Sequence, residues 1–290
     1  MNKNLRILVT GVKGQLGYDV CRELKERGYT SFRGIDIDDL DITNEEAVNN
    51  YLDEFKPDVV VHNAAWTAVD KAEEFKEKVY QVNALGPKYL ASACKRHDAK
   101  MIYISTDYVF DGTGERFYEV DDPKNGLSIY GSTKSQGEDF VKDILEKYFI
   151  IRISWVYGVN GCNFVKTMLK LARAGKKELN VVSDQIGSPT YTYDLSKLMC
   201  DMLESEKYGV YHATNEGICS WYEFACEIFK QSSLDVKVNP VTTEEYLKLV
   251  SQQAKRPLNS RMSKESLDKG GFSRLPHWKD ALKRYLEELE

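Results

Sequence analysis

A hydroxyl, a phenol and an amine stand near one another in the middle of the chain: Thr106, Tyr130 and, four residues later, Lys134. Together they can form a proton-transfer system. Thr106 and Tyr130 would bind a carbonyl oxygen, and Lys134 would keep the phenol acidic. A free tyrosine has a pKa of about 10, too high for easy proton exchange at neutral pH, and a nearby ammonium lowers it by favouring phenolate. If Tyr130 opens a helix, Lys134 lies one turn on and on the same face. The spacing recurs at Tyr193 and Lys197, after Pro189 and a run of Thr and Tyr rather than a strand. One such pair alone is an ordinary solvated helix face. The elements that carry the first pair have to distinguish it.

Those elements alternate. Leu5 to Val9 reads as a buried strand and runs into Thr10-Gly11-Val12-Lys13-Gly14-Gln15-Leu16-Gly17. Leu16, Val20 and Leu24 then mark a helix that ends at Gly28. Glycines between a strand and a helix let backbone approach a pyrophosphate at the helix N-terminus. Phe32 to Ile37 reads as a second strand ending at Asp36, 19 residues after Gly17. That is close to the roughly 20-residue offset of an acid on the adenosine ribose. Asp36 favours NADH, while Lys13 and Arg33 can accept the 2′-phosphate of NADPH. Asp41 and Ile42 are candidate adenine contacts, and Asp41 reads equally as an acid ahead of a helix. Asp58 to Val61 is a third strand, leading to Asn63, Ala64, Ala65 and Trp66; the small alanines let a ligand come close. A helix from Val79 to Arg96 carries Asn83. Met101 to Ile104 is the fourth strand and Phe149 to Ile153 the fifth, entering Ser154 and Trp155.

This order predicts an α/β fold, a doubly wound parallel sheet. Ligands bind such sheets at the C-terminal strand ends, where the Gly11 turn, Asp36, Ala64, Thr106 and Trp155 all fall. Residues 1–158 read as the dinucleotide-binding half. Residues 159–290 read as a smaller, mainly substrate-binding lobe, partly returning to the sheet. In that lobe the Trp221, Phe224, Ala225, Ile228 stripe reads as core, and Trp278 to Leu289 as a closing helix. Arg256-Pro257-Leu258-Asn259-Ser260-Arg261 reads as a stiff basic loop. Its arginines would either grip a pyrophosphate or pair with nearby acids.

Composition narrows the classes. The chain has 290 residues, 42% hydrophobic and 29% charged, with a net charge of -5. It reads as globular and gives nucleic-acid binding no bulk electrostatic support. Met1 and Asn2 open a polar start without the pattern of a signal peptide, and no apolar run approaches the roughly 20 residues that span a bilayer. Six scattered cysteines, none in Cys-x-x-Cys, read as reduced residues of a cytoplasmic protein. No His/Cys cluster suggests zinc.

The glycine turn, spaced G-x-x-G-x-x-G, resembles that of the extended short-chain dehydrogenase/reductases. A wider set is more specific: the glycine turn, Ala64 to Glu73, Ser105 to Phe110, Tyr130 to Lys134, Ser154 to Tyr157, Asn163-Phe164, Asp184 to Thr190 and Arg256 to Ser260. Over nearly the whole chain this set resembles the dTDP-4-dehydrorhamnose reductase family. The resemblance implies a Rossmann-like fold and reduction of the C4 ketone of dTDP-4-dehydro-L-rhamnose by NADH or NADPH. It implies a catalytic set of Thr106, Tyr130 and Lys134, with Lys134 also on the nicotinamide ribose. It places Gly11, Val12, Gly14, Gln15, Leu16, Asp36, Ile37, Asp41, Ile42, Ala64, Ala65, Trp66 and Asn83 with the cofactor. It places Val69, Tyr108 and Trp155 around the sugar of a dTDP-sugar; Thr106, Asp107, Asn163 and Arg256 are further candidate contacts of that substrate. The family often has histidine where this chain has Trp66. Some members form metal-bridged homodimers; the sequence singles out no acids for that, so no metal ligand is assigned and a homodimer stays open. Two alternatives remain: a related nucleotide-sugar reductase or epimerase, and a non-catalytic regulatory subunit of the same fold.

Overall fold

The computed structural model describes residues 3–250 and 254–290; Met1 and Asn2 of the polar start lie outside the described residues. Six parallel strands form the central sheet: β1 (Ile7–Thr10), β2 (Phe32–Ile35), β3 (Val59–His62), β4 (Lys100–Thr106), β5 (Tyr148–Ile153) and β6 (Gly209–His212). Their order is β6-β5-β4-β3-β1-β2, so the winding reverses between β1 and β3. Strands covered on both faces read as continuous apolar runs, as β1 and β3 do.

Alternate residues of each strand feed opposite layers. Ile7, Val9, Val59 and Val61 pack with Leu16, Val20 and Leu24 of helix α1 (Gln15–Glu26). Leu8, Val60 and Met101 face the other way. There they meet Val48 and Leu52 of α2 (Glu45–Phe55), Leu90 and Cys94 of α3 (Gly86–Arg96) and Val141 of α4 (Ile129–Ile144). The smaller lobe has its own core, in which Val165 and Leu169 of α5 (Phe164–Arg173) pack with a helix from later in the chain. That chain first returns to the sheet through α6 (Thr192–Leu203), whose Leu195 and Met199 lie against the α1 face, and through β6. The remaining lobe core comes from Phe224 and Ile228 of α7 (Trp221–Gln231) and Leu282 and Tyr285 of α8 (Trp278–Leu289).

Three local expectations change. The second strand stops at Ile35 rather than Ile37, because the Asp36 and Asp39 carboxylates take up backbone N–H groups and turn the chain. The fourth strand extends through Thr106. The helix expected over residues 79–96 is broken by a π-helical turn at Gln81–Leu85, the kind of insertion that re-aims a side chain; here it carries Asn83.

Candidate active site

A cleft of about 1100 Å³ runs along the C-terminal strand ends. Most predicted positions line it: Gly11, Gly14, Gln15, Leu16, Asp36, Ile37, Asp41, Ile42, Ala64, Ala65, Trp66, Val69, Thr106, Asp107, Tyr108, Tyr130, Lys134 and Trp155. Val12, Asn83, Asn163 and Arg256 do not.

The glycine turn is built for close approach. Gly11 has φ +71°, and a Cβ there would come within 2.8 Å of the Ala64 amide. A Cβ on Gly17 would overlap the Gly11 carbonyl. Helix α1 therefore starts tight against the turn, with no side-chain cap and no acid in its first turn. Its leading N–H groups are suited to an anion, and this cradle fits a dinucleotide pyrophosphate. Asp36 closes one end, where its carboxylate accepts the Lys13 N–H at 2.8 Å and the Ile37 N–H at 2.9 Å. Of the two cations flagged near the ribose, Lys13 lines the cleft and pairs with Asp38. Arg33 turns away over Phe55, 4.7 Å from the ring centroid. Asp41 caps its own turn through Thr43 rather than α2, which is capped by Asn44.

Two predicted contacts are structural supports. Asn83 is buried behind Trp66: its Oδ1 accepts the Trp66 N–H at 2.8 Å and its Nδ2 donates to the Trp66 carbonyl at 3.1 Å. Asn163 caps α5, and its Nδ2 lies 2.9 Å from each of three acceptors, Gln15 Oε1, the Gly158 carbonyl and the Tyr285 hydroxyl, which share its two protons. It pins the start of α1 to the smaller lobe. Val12 packs into the sheet core.

Tyr130 lies in the first turn of α4, capped by Ser128 through the Gly131 N–H at 3.1 Å. Lys134 is buried one turn on. Its Nζ donates to the Ile104 carbonyl at 2.6 Å and sits 4.1 Å from the centroid of Tyr103. Beyond Tyr103 lies His62, stacked at 5.6 Å and held down to about 3 by burial and then by Lys134. The expected acidification of the phenol does not occur. Burial pushes Tyr130 well above its ordinary value, offset in part by the neighbouring Thr106 hydroxyl, and pushes Lys134 down to about 7. Desolvation penalises both charged forms. The second pair lies elsewhere: Tyr193 donates to Glu26 at 2.6 Å on the back of α6.

Thr106 is more committed than its sequence suggests. Its Oγ1 donates to Asp107 Oδ1 at 2.9 Å and accepts the Tyr108 N–H at 3.3 Å. Ser260 donates to Asp107 Oδ2 at 2.6 Å. Both oxygens of Asp107, expected on the substrate, are thus engaged within the protein. Burial pushes Asp107 up to about 6. Tyr108 packs edge-on against Tyr130 at 5.4 Å. Its hydroxyl accepts from Arg256, whose other arm reaches Asp70 at 2.7 Å. Arg256 is thus ion-paired with Asp70. Trp155 adopts φ +50° and stacks on Trp221 with centroids 3.9 Å apart. A left-handed bulky residue at a strand end is a strained conformation held by its surroundings.

Lys78, Gln81, Ser105, Ser154 and Cys162 also line the cleft and were not selected from sequence. Ser105 and Ser154 open two of the recognised motifs. Lys78 carries no local signal, since its face of the helix Lys76–Tyr80 becomes cleft wall only through the fold.

The chain is similar over nearly its whole length to known proteins. The spore coat polysaccharide biosynthesis protein SpsK of Bacillus subtilis (strain 168) is 44% identical over 283 residues, 98% of this chain and 97% of the relative. A dTDP-4-dehydrorhamnose reductase of Aggregatibacter actinomycetemcomitans is 39% identical over 96% of this chain and 97% of its own. The crystal structure of a dTDP-4-dehydrorhamnose reductase from Bacillus anthracis, in complex with NADP, superposes with a TM-score of 0.94 at 41% identity, covering 98% of this chain and 99% of that one. The RmlD substrate binding domain model matches residues 5–290, and the chain belongs to that family.

Proposed function

We propose that this chain reduces the C4 ketone of dTDP-4-dehydro-L-rhamnose to dTDP-L-rhamnose, with NADH or NADPH as reductant, in nucleotide-sugar supply for cell-surface polysaccharide. The observation that carries this reading is the opening of Thr106, Tyr130 and Lys134 into the same cleft as the Gly11 cradle and Asp36. Full-length relatives with this named activity support it.

The bound nicotinamide supplies the hydride. The protein supplies the proton and the geometry. Tyr130, with its raised proton affinity, rests as a neutral phenol and gives its proton to the alkoxide oxygen as it forms. Lys134, buried one turn on, is the adjoining proton reservoir. Val69, Tyr108 and Trp155 wall the sugar, and Arg256 is the nearest candidate for the nucleotide phosphates. Residues 1–158 hold the dinucleotide, and residues 159–290 mainly hold the sugar nucleotide. No described helix is long and apolar enough to cross a membrane, and all six cysteines are free; a cytoplasmic location belongs to the same proposal. So does a homodimer, which sedimentation of the monomer alone would remove.

The test is turnover of the purified chain with the keto-sugar nucleotide and NADH or NADPH. Stoichiometric loss of reduced cofactor and appearance of dTDP-L-rhamnose are expected. Intact cofactor binding with no turnover would favour the regulatory-subunit reading.

A further inference from the structure

A hydroxyl has one proton to give and two lone pairs to offer. The Thr106 proton goes to Asp107 at 2.9 Å, and one lone pair takes the Tyr108 N–H at 3.3 Å. What remains toward the cleft is a lone pair, beside the Tyr130 hydroxyl. In this state Thr106 gives its one proton to Asp107 and none to the cleft, whereas a ketone oxygen needs a donor. The contradiction disappears if Asp107 carries a proton. Asp107 then donates to Thr106, and the Thr106 proton is free to turn toward the ketone.

The surroundings of Asp107 suit such a reversal. The carboxyl is 3% exposed. Among the described residues, its partners are the hydroxyls of Thr106 and Ser260 and, more weakly, its own and the Tyr108 backbone N–H, all of which favour the carboxylate without outweighing burial; no cation is paired with it. Ser260 comes from the smaller lobe, 153 positions along the chain. It is firmly held: its N–H donates to the Ile186 carbonyl at 2.7 Å, and the preceding Asn259 is tied to the Thr113 and Arg116 carbonyls at 3.2 and 2.8 Å. The titratable groups facing Asp107 are Tyr108 and Tyr130, and its negative charge disfavours the phenolate form of each. The nearby cations are occupied: Arg256 by Tyr108 and Asp70, Lys134 by the Ile104 carbonyl.

We propose that Asp107 is a positioning residue that reverses the Thr106 hydrogen bond, acting in its protonated form so that Thr106 donates to the substrate ketone, and that Ser260 sets how readily it takes up that proton. This deepens the reading of the cleft as a ketone-reducing site and rests on it. The proton on Asp107 is not consumed; it enters before the ketone binds and stays, while Tyr130 supplies the proton that the product keeps. Burial already holds Asp107 up to about 6. A ketone that binds the protonated form more tightly raises that value further in the complex, by linkage.

The experiment is a pH profile of kcat/KM for the wild type, Asp107→Asn and Ser260→Ala, with cofactor Kd and thermal unfolding measured on each. Carboxyl protonation is followed separately by infrared difference titration. The wild type should lose about 10- to 100-fold, the effect of one hydrogen bond to a charged group, as pH rises through the Asp107 limb. The infrared titration of the carboxyl tells that limb from the one contributed by Lys134. In Asp107→Asn the amide nitrogen can donate to Thr106 at every pH, so this limb should vanish while the Lys134 limb stays. Ser260→Ala removes a donor that favours the carboxylate. Its limb and its infrared titration should move up by roughly one pH unit, a shift that a purely structural role would not produce. An Asp107→Asn profile that keeps the wild-type limb overturns the proposal. So does an Asp107→Asn protein that binds cofactor yet is inactive at every pH, or an unmoved limb in Ser260→Ala. If Asp107→Asn does not fold, Ser260→Ala decides alone. Wild-type turnover separates the two levels: its absence beside intact cofactor binding refutes the reductase reading itself, whereas an active wild type beside an unchanged Asp107→Asn limb refutes only this inference.

Discussion

Glu138→Gln is the most demanding single perturbation, because it reaches both the core and the site. Glu138 lies four residues after Lys134 on α4 and is 0% exposed; its partner Arg152 on β5 is 2% exposed. Arg152 Nε and Nη2 donate to the two carboxylate oxygens at 2.9 and 2.8 Å. A glutamine keeps the shape but turns an N–H group toward the guanidinium and leaves that charge without a counter-ion. Breaking one side of a buried pair typically costs about 3–5 kcal/mol. At roughly 2–4 °C per kcal/mol for somewhat shorter chains, Tm should fall by roughly 6–20 °C. Lys124, 3.4 Å from the same carboxylate, keeps Asp139 and the Ser135 carbonyl as partners. The second effect is on Lys134. Burial pushes its ammonium down to about 7, and the Glu138 charge opposes that push. Removing the charge lowers Lys134 further. Its folded value lies below the unfolded value of about 10.4, so in that window the unfolded chain binds more protons and this lysine makes stability rise with pH. In Glu138→Gln the window opens at lower pH, and the alkaline limb of kcat/KM moves down with it. Thermal unfolding as a function of pH and the kcat/KM profile read both effects. A destabilisation under about 1 kcal/mol, within the range of an exposed pair, would refute the account of the buried pair. An unmoved alkaline limb would refute the coupling to Lys134.

Other expectations are simpler to read. Tyr130→Phe should lower kcat by about 10²–10⁴-fold, the usual worth of a positioned acid, with cofactor Kd nearly unchanged; Tyr193→Phe, which loses only a surface bond to Glu26, should leave kcat alone. Asp36→Ala should move the kcat/KM ratio toward NADPH, since the acid that repels a 2′-phosphate is gone while Lys13 still lines the cleft; an unchanged ratio would mean that Asp36 does not face the ribose. Arg256→Ala should weaken sugar-nucleotide binding by roughly tenfold or more, as loss of one charge-assisted bond, and spare cofactor Kd. Equal losses in calorimetry for both ligands would point to a folding defect instead.

The sequence alone determined what depends on neighbours along the chain. Apolar runs set β1 and β3 and the i, i+4 stripe set α1, because strand and helix periods are local. The Gly11 turn was legible for the same reason: only glycine tolerates that backbone and that proximity. Thr106, Tyr130 and Lys134 could be selected because each closes or opens a recognisable element. Only the tertiary structure decided what those groups do to one another. Asn83 and Asn163 look like ligand contacts in sequence and become supports for Trp66 and Gln15 once a π-turn and the smaller lobe bring them there. Arg256 meets Asp70 across 186 positions and Ser260 meets Asp107 across 153, separations that carry no periodic signal. The charge states were equally out of reach. Sequence spacing predicted an ammonium acidifying a phenol, whereas packing buried both and moved each toward its neutral form. Desolvation belongs to the assembled cleft, and no stretch of chain contains it.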